Sequence, residues 1–200
     1  ETKIDEISLY MEYIDGNTLS EIKYLNLDYQ TKLNIIFELL IVFQYIHSNG
    51  YIYRDLKPNN VKIDSNNTTV LIDFDRLIKI GEFEELLGNL DGYYQAPEIF
   101  EKDQLTFKAD IYSLGLIIYL IIMENDDQIK KANGKFSYLN MPENYSNIRD
   151  ICNKCIIHNP NERPTIEELI KLFYLNVFII NQPKQGIKKE LINILEMNIE

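Results

Sequence analysis

Tyr51-Ile-Tyr-Arg-Asp-Leu-Lys-Pro-Asn-Asn60 and, further on, Val70-Leu-Ile-Asp-Phe-Asp75 are the stretches on which the reading of fold and chemistry turns. Each opens with a short β-branched and aromatic run, so each sets its polar residues at the end of a strand, where a sheet can aim them. The first supplies a carboxylate, Asp55, a cation, Lys57, and an amide, Asn60; the second adds the carboxylate of Asp73. A base, a point charge for phosphate and two oxygen ligands for a hard cation are what phosphoryl transfer requires.

The 200 residues are 46% hydrophobic, enough to build one sizeable core. A net charge of -11 argues against a nucleic-acid partner, since that affinity comes from clustered Lys and Arg. Two cysteines make no disulfide framework, which fits a reducing compartment and sets the expectation of a cytoplasmic protein. No run reaches the roughly 18 apolar residues of a membrane span. The closest, Ile111 to Met123, is interrupted by Ser113 and Gly115 and has the length of a buried helix.

Along the chain, Ile7 to Gly16 reads as a strand ending in a turn, a surface hairpin strand being the plain alternative, and Leu19 and Ile22 start a short helix. Asp28 is placed to cap a helix running to about His47, with Leu33, Ile36, Phe37, Leu40 and Phe43 at helical spacing and Asn49-Gly50 as its stop. His47, in the last turn, suits helix-end stabilisation. Alternation in the strand after Asn60 sends Val61 and Ile63 to one face and Lys62 to the other.

Lys108 to Met123 predicts a helix apolar on all sides, therefore buried. A short helix is expected near Asp127 to Asn133, another over Ile148 to Ile157, and a last one capped by Thr165 and running through Leu175. Cys152, Cys155 and His158 recur every third residue, but no fourth zinc ligand is apparent and buried cysteine is common in helix cores. Beyond Pro183, Ile187, Leu191, Ile194 and Leu195 repeat at helical spacing.

The two opening stretches, Y-R-D-L-K-P-N-N and D-F-D, resemble the catalytic and metal-binding loops of the eukaryotic protein kinases of Ser/Thr type, written H-R-D-L-K-P-x-N and D-F-G. Ala96-Pro-Glu98 matches that family's A-P-E, and Lys108-Ala-Asp-Ile-Tyr-Ser-Leu-Gly115 is similar to its D-x-W-S-x-G, with Tyr112 for Trp. Asn159-Pro-Asn-Glu-Arg-Pro164 matches the turn before its last helix. The resemblance implies an α+β fold, the kinase large lobe, mainly helical with short β hairpins around the catalytic loop. It covers residues 1–178, from hinge to final helix. The small lobe's Gly-rich loop, strand lysine and helix glutamate have no match, and residues 179–200, outside the kinase pattern, are expected to form a tail helix that packs on the lobe or leads to a further domain or partner.

On the same resemblance Asp55 orients the proton of a protein substrate's hydroxyl, and Lys57 steadies the γ-phosphate of ATP, a lysine there being typical of Ser/Thr-directed kinases. Asn60 and Asp73 hold Mg2+. Met11 becomes the gatekeeper, the backbone of Glu12 and Ile14 bonds adenine, Thr18 lies near the ribose, and Lys62 lies on the adenine floor. Asp110 bonds the catalytic-loop backbone, and Arg163 pairs with Glu98. Tyr53 replaces the family's usual His.

Three departures weigh on activity. Lys62 stands where the family prefers Leu or Met, and Asp75 where it has a glycine. Asp91 replaces the threonine that contacts the catalytic Asp and Lys. The segment from Arg76 to Gln95 contains no Ser or Thr, which leaves Tyr93 and Tyr94 for phosphorylation, packing being their plain alternative, and Glu82, Glu84 and Glu85 as standing charge for Arg54, a solvated acidic loop being theirs. An active kinase is the reading these residues favour; a pseudokinase acting as a scaffold or binding module is the alternative.

Overall fold

The computed structural model describes residues 11–82, 92–101, 105–132 and 138–178. Strand β1 (Gly16–Thr18) leads through a 3-10 helix (Leu19–Tyr24) to helix α1 (Tyr29–Ser48). The two-residue strand β2 (Tyr51–Ile52) opens the catalytic loop, which a 3-10 turn (Pro58–Asn60) closes before β3 (Val61–Asp64), β4 (Thr69–Leu71) and β5 (Ile78–Lys79). Helices α2 (Glu98–Glu101), α3 (Lys108–Met123), α4 (Asp127–Ala132), α5 (Ser146–Cys155) and α6 (Ile166–Phe173) complete the order. The result is an α+β unit, mainly helical, with two small antiparallel sheets, β1-β3-β4 and β2-β5.

Helix α3 is the centre, buried without a break from Ala109 to Ile122, as a helix apolar on every side must be. It packs on α5 so closely that a Cβ at Gly115 would lie 2.5 Å from that of Cys155. Cys152 and Cys155 are core residues of this contact, and burial pushes both thiols up, Cys155 to about 12. Among the described residues no cluster of His, Cys, Asp and Glu is built to hold a metal, and His158 is exposed. Nor is any helix among them long and apolar enough to cross a membrane.

Local signals set both ends of α1 and the start of α6. The Asp28 carboxylate accepts the Thr31 amide at 2.9 Å, and Gly50 follows α1 at φ 79°, a left-handed turn suited to glycine. Thr165 and Glu168 form a reciprocal capping box at the start of α6. Helix α5 begins two residues before the expected Ile148 and ends at Cys155, because the 3-10 turn Glu143–Tyr145 runs straight into it. Helix α6 ends at Phe173 and is extended by a π turn, Tyr174–Phe178, held in part by Asn176 Nδ2 donating to the Leu172 carbonyl at 2.8 Å.

The first strand differs from the expectation. Residues 11–15 are irregular, and β1 begins at Gly16, where the strand was expected to end. Gly16 pairs with Asp64 at φ 150°, and a Cβ there would lie 2.3 Å from the Ile63 carbonyl oxygen. The glycine admits close strand approach instead of ending a strand. The expected residues 1–10, 83–91 and the tail helix over 179–200 lie outside the described residues.

Candidate active site

The catalytic loop is held from beneath by Asp110, at the start of α3. Its carboxylate accepts the amides of Tyr53 at 2.8 Å and Arg54 at 2.9 Å, and lies 2.9 Å from His47 Nε2. His47, in the last turn of α1, is also a buried partner of Asp110 and is stacked on Phe107. Arg54 adopts φ 69°, a left-handed conformation costing on the order of 1–3 kcal/mol that persists only when its surroundings impose it. Two buried amide bonds to one carboxylate supply that constraint and fix the direction in which the next residue, Asp55, leaves the backbone.

Asp55 is 5% exposed. Its Oδ2 accepts Lys57 Nζ at 2.9 Å and Asn60 Nδ2 at 3.1 Å, while the same amide nitrogen reaches the Asp55 carbonyl at 2.9 Å. Among the described residues none bonds Oδ1, so one carboxylate oxygen is saturated and the other is open to a hydroxyl. Asn60, turned inward by the Pro58–Asn60 turn, retains its Oδ1 as an oxygen donor.

The second block is joined to the first by Ile72, whose amide donates to the Asn60 carbonyl at 2.9 Å and whose carbonyl accepts the Tyr53 hydroxyl at 2.5 Å. The Tyr53 ring meets Phe74 edge-on at 5.6 Å, and burial pushes its hydroxyl up. Tyr53 is a strut between the two loops, a role its sequence position did not reveal. The exposed carboxylate of Asp73 stands at φ 63°. Asp75, where the family has a glycine, is not among the residues of positive φ, so its backbone here is one any residue adopts.

The expected nucleotide edge is less enclosed. Met11 is 68% exposed, Glu12 is exposed, and Ile14 and Thr18 are half-buried. Lys62 lies opposite Thr18 in the sheet, with Val61 and Ile63 buried on the other face, as alternation predicts. Its ammonium donates to the Ile14 carbonyl at 2.5 Å and sits 5.3 Å from the Tyr13 ring. Irregular backbone at residues 11–15 turns that carbonyl towards the sheet.

In the following segment Tyr94 is 5% exposed and donates its hydroxyl to Asp126 at 3.1 Å, whereas Tyr93 is 39% exposed and lines a cavity of about 440 Å³ with Lys57, Leu19 and Ile22. Burial pushes the Tyr94 hydroxyl up. Tyr94 is thus a packing residue, and Tyr93 alone of the two offers its ring to solvent. Glu82 is exposed; Glu84, Glu85 and Asp91 lie outside the described residues. Arg163 spends all five of its N–H groups: two bonds to Glu98, at 2.6 and 2.9 Å, and three to the carbonyls of Ile157, His158 and Lys108. Its guanidinium also lies over Tyr112, whose hydroxyl burial pushes up to about 12.

A family model described as protein kinase domain matches residues 2–175. The chain is 29% identical over 185 residues to the serine/threonine-protein kinase ppk34 of Schizosaccharomyces pombe, covering 84% of this chain and 51% of that protein. It is 24% identical over 208 residues to the mitogen-activated protein kinase kinase kinase 2 of Arabidopsis thaliana, covering 96% and 31%. With the dual specificity protein kinase zak2 of Dictyostelium discoideum it shares 29% over 178 residues, covering 82% and 26%. The chain thus spans about half the length of these relatives or less.

Proposed function

The chain belongs to the protein kinase family, and on that premise we propose that the protein to which it belongs transfers the γ-phosphate of ATP, with Mg2+, to Ser or Thr hydroxyls of protein substrates. The observation that carries this reading is the Asp55 carboxylate, one oxygen engaged by Lys57 and Asn60 and the other open. Oδ1 accepts the hydrogen bond of the substrate hydroxyl and takes its proton as the phosphoryl group transfers. Lys57, 2.9 Å from Oδ2, keeps a positive charge beside the group in transit, and its place two residues after Asp55 supports Ser/Thr direction.

Asn60 Oδ1 and the Asp73 carboxylate would hold Mg2+, which when bound neutralises charge on the phosphates. Two oxygen donors fit this ion, because Mg2+ takes one or two protein ligands and completes its shell with water and substrate phosphate. Met11, the backbone of Glu12 and Ile14, Thr18 and Lys62 form the proposed adenine and ribose edge. The kinase domain is proposed to span residues 1–178, with residues 179–200 as a separate tail.

A second reading, a scaffold without turnover, is favoured by Lys62, whose ammonium already occupies a backbone carbonyl at that edge. The two readings separate when the full-length protein is incubated with labelled ATP, Mg2+ and a generic basic protein. Label recovered as phosphoserine or phosphothreonine, lost on chelating Mg2+, is the expected result. No transfer under those conditions would favour the scaffold.

A further inference from the structure

Arg76 carries a positive charge to the side of Asp55 and ends in a nitrogen that has no partner among the described residues. Its backbone is fixed to the catalytic loop, because its carbonyl accepts Arg54 Nε at 2.5 Å. Its side chain is 22% exposed and brings Nε to 3.8 Å from Asp55 Oδ2, close enough for attraction but too far for a hydrogen bond. That oxygen is already supplied by Lys57 and Asn60, so Asp55 does not need a third donor. Arg76 Nη1 is buried, and among the described residues nothing accepts its hydrogens.

A buried guanidinium N–H without an acceptor is destabilising, and a leucine or methionine at this position avoids the cost altogether. An arginine placed there calls for an anion. Lys57 and Arg76 both approach the one carboxylate of Asp55, and no ion pair joins Arg76 to Asp73 or Asp75. The fork of a guanidinium matches the oxygens of phosphate. On the reading of Asp55 given above, the anion nearest that carboxylate during the reaction is the phosphoryl group being transferred. We infer that Arg76 is a phosphate-binding residue, whose guanidinium takes the terminal phosphate of the nucleoside triphosphate beside Asp55.

That contact exists in the triphosphate and not in the diphosphate, which gives a readout independent of turnover. Calorimetric titrations of the full-length protein with Mg2+ and either ATP or ADP are expected to show Arg76→Ala weakening ATP about tenfold to hundredfold. ADP should change less than twofold, and Arg76→Lys should restore part of the ATP affinity. Thermal unfolding of both variants shows that they fold. Equal losses for ATP and ADP, or no loss for either, would overturn the assignment. So would unchanged nucleotide binding with a raised KM for an acidic acceptor peptide, since Arg76 would then read the acceptor. A wild-type protein that binds neither nucleotide would instead overturn the kinase reading itself, and the assignment with it.

Discussion

The underside of the catalytic loop and the edge expected to meet the nucleotide base are built in opposite ways. Beneath the loop, Asp110 and Arg163 are almost wholly buried, and each is bonded at several points to groups fixed by helices or by the loop itself. At the base edge, Met11 and Tyr13 are exposed and a flexible lysine makes the main polar link, from Lys62 to Ile14. The difference teaches which parts of the chemistry the fold enforces. The direction of Asp55 is imposed by packing, whereas the shape of the base edge rests on one side chain with many rotamers. Substitutions beneath the loop should therefore register as stability, and those at the edge as affinity.

The largest effect is expected at Asp110. Asp110→Ala leaves the amides of Tyr53 and Arg54 and the ring of His47 without their buried acceptor, a loss of about 3–5 kcal/mol in urea unfolding. Asp110→Asn, which keeps one acceptor oxygen, should lose less; equal losses would mean that the cavity and not the bonds sets the cost. Gly115→Ala comes next, at about 1–3 kcal/mol, since its methyl group would meet the Cβ of Cys155. A neutral outcome there would show that α3 and α5 separate more easily than their packing suggests.

Lys62→Leu should leave stability within about 0.5 kcal/mol, as expected of a substitution at the edge of the fold. In the full-length protein it should tighten ATP several-fold, because an apolar side chain then covers the base and no ammonium competes at Ile14. Weaker ATP binding would mean that Lys62 reaches a phosphate or ribose oxygen, and the contrast between the two regions would narrow.

What was legible in the sequence follows the same division. Asp28 and Asn49-Gly50 mark both ends of α1 by local capping, and the all-apolar run after Lys108 can only be a buried helix. The first opening stretch carries Asp55, Lys57 and Asn60 so close together along the chain that local geometry brings them into contact. The resemblance to kinases supplied the longer pairings, Asp110 with the loop backbone and Arg163 with Glu98.

The rest depends on contacts between segments far apart in the chain. That the Lys62 ammonium meets the Ile14 carbonyl depends on irregular backbone at residues 11–15, which no periodicity encodes. Tyr53 looked like a simple replacement because its partner, the Ile72 carbonyl, lies in the other loop. Arg76 went unnoticed because a single arginine beside two aspartates reads as an ordinary charged turn. Its position against Asp55 appears only when both loops are folded.

Asp55, open on one oxygen, is proposed to perform the proton step of phosphoryl transfer. Asp55→Asn keeps an oxygen for Lys57 and Asn60 while removing the proton acceptor. In the full-length protein its turnover of ATP with a basic acceptor protein should fall at least about 100-fold, with an unchanged unfolding midpoint. Turnover within a few-fold of wild type would remove Asp55 from the chemistry and contradict the account.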